Sequence, residues 1–249
     1  MTSLNASSII ALSQGDSATI INFQLSKTVS HFYASPTPIM NLFSYHIANL
    51  LITDSSDGVI NFWDTGKLSK IPTNSSFLLN EEPVISSDYN SDSSLYYALD
   101  AQGKAYLNSV KSYCDDIFEG NVWEEYKEKP IFIKGDRVNF NQFVVGYEKG
   151  IKYFDIRNFK CVKELNNGNN VMNIVNDSKE VLIIEKNNIE LWNLNMNESS
   201  NEGGLLQKWT QFNNIVHSNF NIFYHNNEKN SMIILGMYNG DVYYSSLTN

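Results

Sequence analysis

The stretch Asp57-Gly58-Val59-Ile60-Asn61-Phe62-Trp63-Asp64-Thr65-Gly66-Lys67 decides the fold. Asp-Gly between apolar alternations is a strong hairpin signal, because both central residues of the tightest hairpin turns take positive φ. Leu50-Leu51-Ile52-Thr53 is the strand entering this turn and Val59 to Trp63 the strand leaving it. The next question is whether the unit stands alone or recurs at a fixed period.

It recurs. Aligned on Ile60, the segment Tyr147-Glu148-Lys149-Gly150-Ile151-Lys152-Tyr153-Phe154-Asp155 sets Ile151 on Ile60 and Phe154-Asp155 on Trp63-Asp64. Glu185 to Asn193 repeats it with Ile189 and Trp192-Asn193. Weaker copies carry Ile20 with Phe23-Gln24, Ala105 with Asn108-Ser109 after Gln102-Gly103, and Val242 with Ser245-Ser246 after Asn239-Gly240. The anchors Ile20, Ile60, Ala105, Ile151, Ile189 and Val242 stand 40, 45, 46, 38 and 53 residues apart, near the roughly 40 to 45 residues of a four-stranded repeat. The longest step contains Asn195 to Gly204, whose composition is that of a solvated loop. Deletion of Asn197 to Glu202 is therefore expected to be tolerated, since surface insertions cost little closure entropy.

These copies resemble the WD-repeat family. The resemblance covers the whole chain and is specific in three copies, those of Ile60, Ile151 and Ile189. It implies an all-β fold, a β-propeller of about six four-stranded blades in a single domain over residues 1–249, with room for a seventh blade that is incomplete or supplied by a partner. No Gly-His dipeptide opens any repeat. Of the buried hydrogen-bonded set that the family builds from His, Asp, Ser or Thr, and Trp, only Ser56, Asp57 and Trp63 could supply part, so the blades are expected to rely mostly on apolar packing. Other sandwiches and barrels also show short strands with frequent turn signals and are the competing architectures.

Composition agrees with a β-rich chain. Aromatic residues make up 13%, Ile, Val and Tyr are abundant, and no window sustains apolar recurrence at helical spacing. Asparagine clusters such as Asn166-Asn167-Gly168-Asn169-Asn170 fall between strand candidates, where Asn tolerates left-handed backbone. The net charge of −9, from 27 acidic and 18 basic residues, argues against direct nucleic-acid binding, which depends on neutralising phosphates. Lys127, Lys129, Lys134 and Arg137 are interleaved with Glu124, Glu125, Glu128 and Asp136 and read as a self-compensated region. Cys114 and Cys161 are single and distant, which suggests neither a disulfide framework nor a zinc site. Ile9-Ile10-Ala11-Leu12 is too short for a signal peptide or a membrane span. The expectation is an intracellular protein, cytoplasmic or nuclear and not secreted, with no membrane insertion.

No residue set carries chemistry. His31, His46, His217 and His225 share no metal-ligand spacing, and the pairs Glu81-Glu82, Asp115-Asp116 and Glu124-Glu125 are adjacent, so on a strand their side chains would diverge. No phosphate-cradling loop, GxSxG or HExxH occurs. No catalytic, cofactor-binding or metal residue is assigned, and no small-molecule substrate is expected. Trp63, Trp192 and Phe154 belong to blade packing; Trp123 and Trp209 lie outside that position and could pack or anchor a partner.

Strand placement leaves choices in three repeats. Leu68 to Ile71 is the expected outer strand of the second repeat. Val122 to Tyr126, Ile131 to Lys134 and Val138 to Phe140 compete for the inner strand of the fourth, and Ile215 to Phe220 competes with Ile222 to Tyr224 in the sixth. The strand count also does not balance: Thr2 to Ser8 can provide the first blade's inner strand or the last blade's outer strand, not both. An unpaired edge is a template for strand addition. The expected partner site is the cleft bounded by Ser3 to Leu12 and Gly240 to Leu247, with Ser3, Leu4, Ile9, Val242, Tyr243 and Tyr244 as contact residues. The function expected is a non-enzymatic scaffold or adaptor subunit of an intracellular multiprotein complex, an open propeller completed by a partner as in nuclear-pore or coat scaffolds. The alternatives are a propeller hydrolase of glycosidase type and a channel-face binder of modified peptides.

Overall fold

The structure is a computed structural model that describes residues 2–4, 9–22, 25–45, 50–64, 74–77, 82–90, 93–109, 117–122, 128–136, 139–166, 171–177, 180–185, 187–193, 205–210, 215–225, 228–237 and 242–247. Trp123, Cys114, His46, Arg137, Leu68 to Ile71, Asn195 to Gly204 and the acidic pairs other than Glu82 lie outside these residues.

Within them the regular secondary structure is all strand, in six antiparallel sheets taken in sequence order. The first comprises β1 (Thr2–Leu4), β2 (Ile9–Gln14), β3 (Ser17–Asn22) and β4 (Lys27–Tyr33); the second, β5 (Ile39–Tyr45), β6 (Leu50–Ser55), β7 (Val59–Asp64) and β8 (Asn74–Phe77). The third has β9 (Val84–Asn90), β10 (Leu95–Asp100), β11 (Lys104–Ser109) and β12 (Ile117–Asn121); the fourth, β13 (Pro130–Gly135), β14 (Gln142–Tyr147), β15 (Gly150–Asp155) and β16 (Cys161–Asn166). The fifth has β17 (Val171–Asp177), β18 (Glu180–Glu185), β19 (Ile189–Asn193) and β20 (Leu205–Trp209), and the last, β21 (Ile215–His225), β22 (Glu228–Met237) and β23 (Val242–Leu247). First strands lie against first strands, β1 on β5, β5 on β9, β9 on β13 and β13 on β17. Each sheet is thus a blade of a β-propeller, with its opening strand innermost.

The central strands are apolar on consecutive residues because both faces of each blade are covered. Leu51 and Trp63 pack toward the first sheet with Ala11, Ile20 and Phe32, whereas Leu50, Ile52, Ile60 and Phe62 pack toward the third with Val84, Tyr96 and Tyr106. Side chains alternate faces along a strand. The run Tyr96-Tyr97-Ala98-Leu99 is accordingly divided: Tyr96 and Ala98 face the second sheet, and Tyr97 and Leu99 face Ile133, Phe143 and Val145 of the fourth. A slip of one residue would exchange these sets, so register is strongly specified.

The structure revises four sequence expectations. The hairpin at Gly58 is present, but its loop has three residues: the Gly58 N–H donates to the Ser55 carbonyl at 2.9 Å and only Gly58 takes positive φ, at 81°. This is a type I turn closed by a left-handed residue, the common three-residue loop, and Gly103 repeats it on Asp100. The outer strand of the second blade is Asn74–Phe77, in register with Val59 to Phe62. The inner strand of the fourth blade begins at Pro130, where a residue without an N–H is tolerated at a strand start. In the sixth, both competing segments belong to one long strand, β21.

Candidate partner-binding surfaces

Polar side chains are used first to join blades. Asp54, at the end of β6, is 1% exposed. Its carboxylate accepts the Asn41 backbone N–H at 2.7 Å, the Tyr96 hydroxyl at 2.8 Å and the Ser87 hydroxyl, while the Asn41 side-chain amide donates to Ser87 at 2.6 Å. Burial pushes the Asp54 carboxyl up to about 6, against the opposing pull of these hydrogen bonds. One seam further on, Asp88 accepts the Gly135 N–H at 3.0 Å with the Lys134 ammonium 3.6 Å away, and Ser86 accepts the Ile133 N–H at 3.2 Å. Strand β9 therefore fastens the second blade through Ser87 and the fourth through Ser86 and Asp88. These polar positions were not singled out from the sequence, since a Ser-Ser-Asp run is indistinguishable from a turn until its register is known.

Aromatic assignments to packing hold at three positions. Trp63 sits 4.3 Å from Phe32 between ring centroids, Phe154 stacks on Phe143 at 5.4 Å, and Trp192 packs half-buried with its indole N–H on Glu190 at 3.0 Å. The Trp63 indole N–H donates to the Thr53 hydroxyl at 3.0 Å. Thr53 takes the place expected of Ser56: Leu51 pairs with Trp63, so Thr53 lies two residues along on the same face, whereas Ser56 is in the turn with its N–H on the Pro38 carbonyl. Asp57 caps its own turn, accepting the Val59 N–H at 3.2 Å. Trp209 is half-buried at the end of β20, opposite Ile189. His31 shares a hydrogen bond with Thr19 at 2.8 Å, and the Cys161 thiol is half-buried and donates to the Lys163 carbonyl.

The six expected contact residues divide between two blades. Ser3 and Leu4 pair with Ile10 and Ile9, which makes Thr2–Leu4 the inner strand of the first blade. Val242, Tyr243 and Tyr244 pair with Gly236, Leu235 and Ile234, and β23 stands at the end of the sheet order β21-β22-β23. Among the described residues no ladder joins β1 to β23.

A second feature recurs around the ring. Each inner strand from the second blade onward carries a β-bulge at its second residue: Met40, Ile85, Ile131, Met172 and Val216 are the unpaired residues. The residue after each bulge faces the one that pairs, on its other side, with Ile60, Ala105, Ile151, Ile189 or Val242. The sequence period thus fixes the bulge, although no single repeat advertises it. Met40 and Ile131 are each 41% exposed and Ile85 is half-buried.

No family model and no curated protein sequence matches the chain. Among solved structures, the β-propeller domain of Cps50 (Swd1) from Myceliophteria thermophila is similar, with a TM-score of 0.71 at 13% identity over 97% of this chain and 80% of that one. At that identity the likeness identifies the fold.

Proposed function

We propose that this propeller is of the WD-repeat type and serves as a non-enzymatic scaffold or adaptor in an intracellular multiprotein complex, taking a strand from a partner at the edge of its last blade. The observation that carries the reading is the use of Thr2–Leu4 as the first blade's inner strand, which leaves β23 as the outermost of three strands among the described residues. A strand edge presents unpaired N–H and C=O groups every second residue, which a partner segment satisfies by β-addition. Ser3, Leu4 and Ile9 would flank the incoming segment on the first blade and Val242, Tyr243 and Tyr244 on the last. Two of the buried acids, Asp54 and Asp88, are engaged in fastening blades to one another.

The test is site-specific photocrosslinking in cells of the source organism, with a photoreactive phenylalanine at Tyr243 and, as a control, at exposed Tyr33 on β4. A crosslink from Tyr243 to a second polypeptide, lost on Tyr244→Pro, supports the reading. Crosslinks from Tyr243 only to this chain's own residues overturn it.

A further inference from the structure

We propose that the outer edge of the first blade is a self-association surface, at which β4 pairs antiparallel with β4 of a second copy of this chain. The inference does not rest on strand capture at β23, because it uses the edge of a different sheet.

β4 closes the order β1-β2-β3-β4, and among the described residues no strand pairs with its far side. Its seven residues make it the longest of the five fourth strands, since β8 has four, β12 five, β16 six and β20 five. Free edges are templates for pairing, and chains guard them with short strands, charge or proline. β12 carries Glu119, β16 carries Lys163 and Glu164, and β20 carries Lys208. β4 has no proline, and its only full charge at neutral pH is Lys27, at the first residue of the strand. Val29 and Tyr33 are 39% and 58% exposed, and Leu25 in the preceding turn is 71% exposed. Within β4 only Phe32 is buried, against Trp63. The bulge at Val29 bends the strand once, and Ser30 to Tyr33 keep unbroken register with β3.

Charge and symmetry name the occupant. The chain carries a net charge of −9, so most approaches of two copies are repulsive. The first blade differs, because no acidic residue occurs from Ser17 to Thr53. Two β4 edges can therefore meet without the repulsion that the rest of the chain imposes. An antiparallel two-fold pair must set one residue opposite itself, since facing side chains have to lie on the same side of the shared sheet. Ser30 is the midpoint of Lys27–Tyr33, and pairing about it overlaps the whole strand. It sets Val29 opposite His31, Thr28 opposite Phe32 and Lys27 opposite Tyr33, each twice, and no like charges face each other. The Lys27 ammonium then meets the exposed ring of Tyr33 from the other copy, a cation–π pairing. A single edge ladder buries less than the roughly 1,200 Å² of a standard interface, so the dimer is weak and forms as concentration rises.

The experiment is sedimentation equilibrium of the intact chain over a concentration series, and the expected result is a monomer–dimer equilibrium. Tyr33→Lys sets two ammonium groups opposite each other on both sides of the axis, and should raise the dissociation constant at least tenfold with an unchanged melting temperature. Adding Lys27→Glu to that variant turns each repulsive pair into an attractive one and should restore the dimer. Tyr244→Pro should leave dimerisation unchanged, which separates it from strand capture at β23. A photoreactive residue at Tyr33 should join two copies of this chain and no foreign polypeptide. A monomer at every concentration, a dimer indifferent to Tyr33→Lys, or no rescue by Lys27→Glu overturns the proposal.

Discussion

Between the first and second blades Trp63 lies on Phe32, surrounded by Ala11, Ile20, Leu42 and Leu51, and its one polar atom is matched by Thr53. Between the second and third, an apolar cluster of similar type is accompanied by a carboxylate, Asp54, which among the described residues is faced by the neutral donors of Asn41, Ser87 and Tyr96. The first seam gains from removing surface from water and is indifferent to pH. The second gains specificity from directional bonds, but neutral donors do not fully offset the cost of burying a charge. Two seams built on the same strand, β6, therefore respond to different variables.

The largest expected effect tests the apolar seam. Trp63→Ala should cost about 3 to 5 kcal/mol, read by urea unfolding, and this loss should be the same at pH 7 and pH 5. A variant of unchanged stability would show that Trp63 does not carry the packing.

The polar seam has the opposite signature. The Asp54 carboxyl is raised in the folded state from 3.8 to about 6, so the folded state holds the proton more tightly. Stability from this group is lowest above pH 6, grows as pH falls through 6 and is complete below the unfolded value of 3.8. The gain approaches roughly 3 kcal/mol. Asp54→Asn should remove that trend, so the difference in unfolding free energy between wild type and variant should shift toward wild type from pH 7.5 to pH 4.5. Parallel pH profiles would contradict the assignment.

Thr53→Val sharpens the contrast within the apolar seam. It keeps the shape but strands the buried indole N–H of Trp63, at a cost of about 1 to 3 kcal/mol; combined with Trp63→Phe, which lacks the N–H, its cost should fall well below that. Gly58→Ala should lose about 1 to 2 kcal/mol from the left-handed backbone at φ 81°, equally at both pH values. A pH-dependent cost would mean that the turn couples to Asp54.

What the sequence made legible follows from what each residue must satisfy. Strands β6, β10, β14 and β18 are read easily because two covered faces demand consecutive apolar residues. Asn74–Phe77 has one apolar residue in four, so it carries little apolar signal and Leu68 to Ile71 looked stronger. The bulges were hidden because an unpaired residue is defined by its partner's register. The Asp54 cluster unites Asn41, Ser87 and Tyr96 from three strands of two blades, and no local pattern joins them. The Trp63 assignment was accessible because its role, filling a seam, depends only on its own size and position in the repeat.

The fastening between blades has a consequence for how the molecule is made. The hydrogen bonds that cross the seams, from Asn61 to Ala34, Ser87 to Asp54, Tyr96 to Asp54 and Gly135 to Asp88, join residues 27, 33, 42 and 47 apart. Each is about one repeat or less, so each blade can dock on its predecessor as soon as it leaves the ribosome. Assembly then proceeds as nearest-neighbour growth of low contact order, and the loop-closure entropy at each step stays small. β9, which grips the blade before it through Ser87 and the blade after it through Ser86 and Asp88, is a strand whose second seam an arrested nascent chain would show protected only once the fourth blade has emerged.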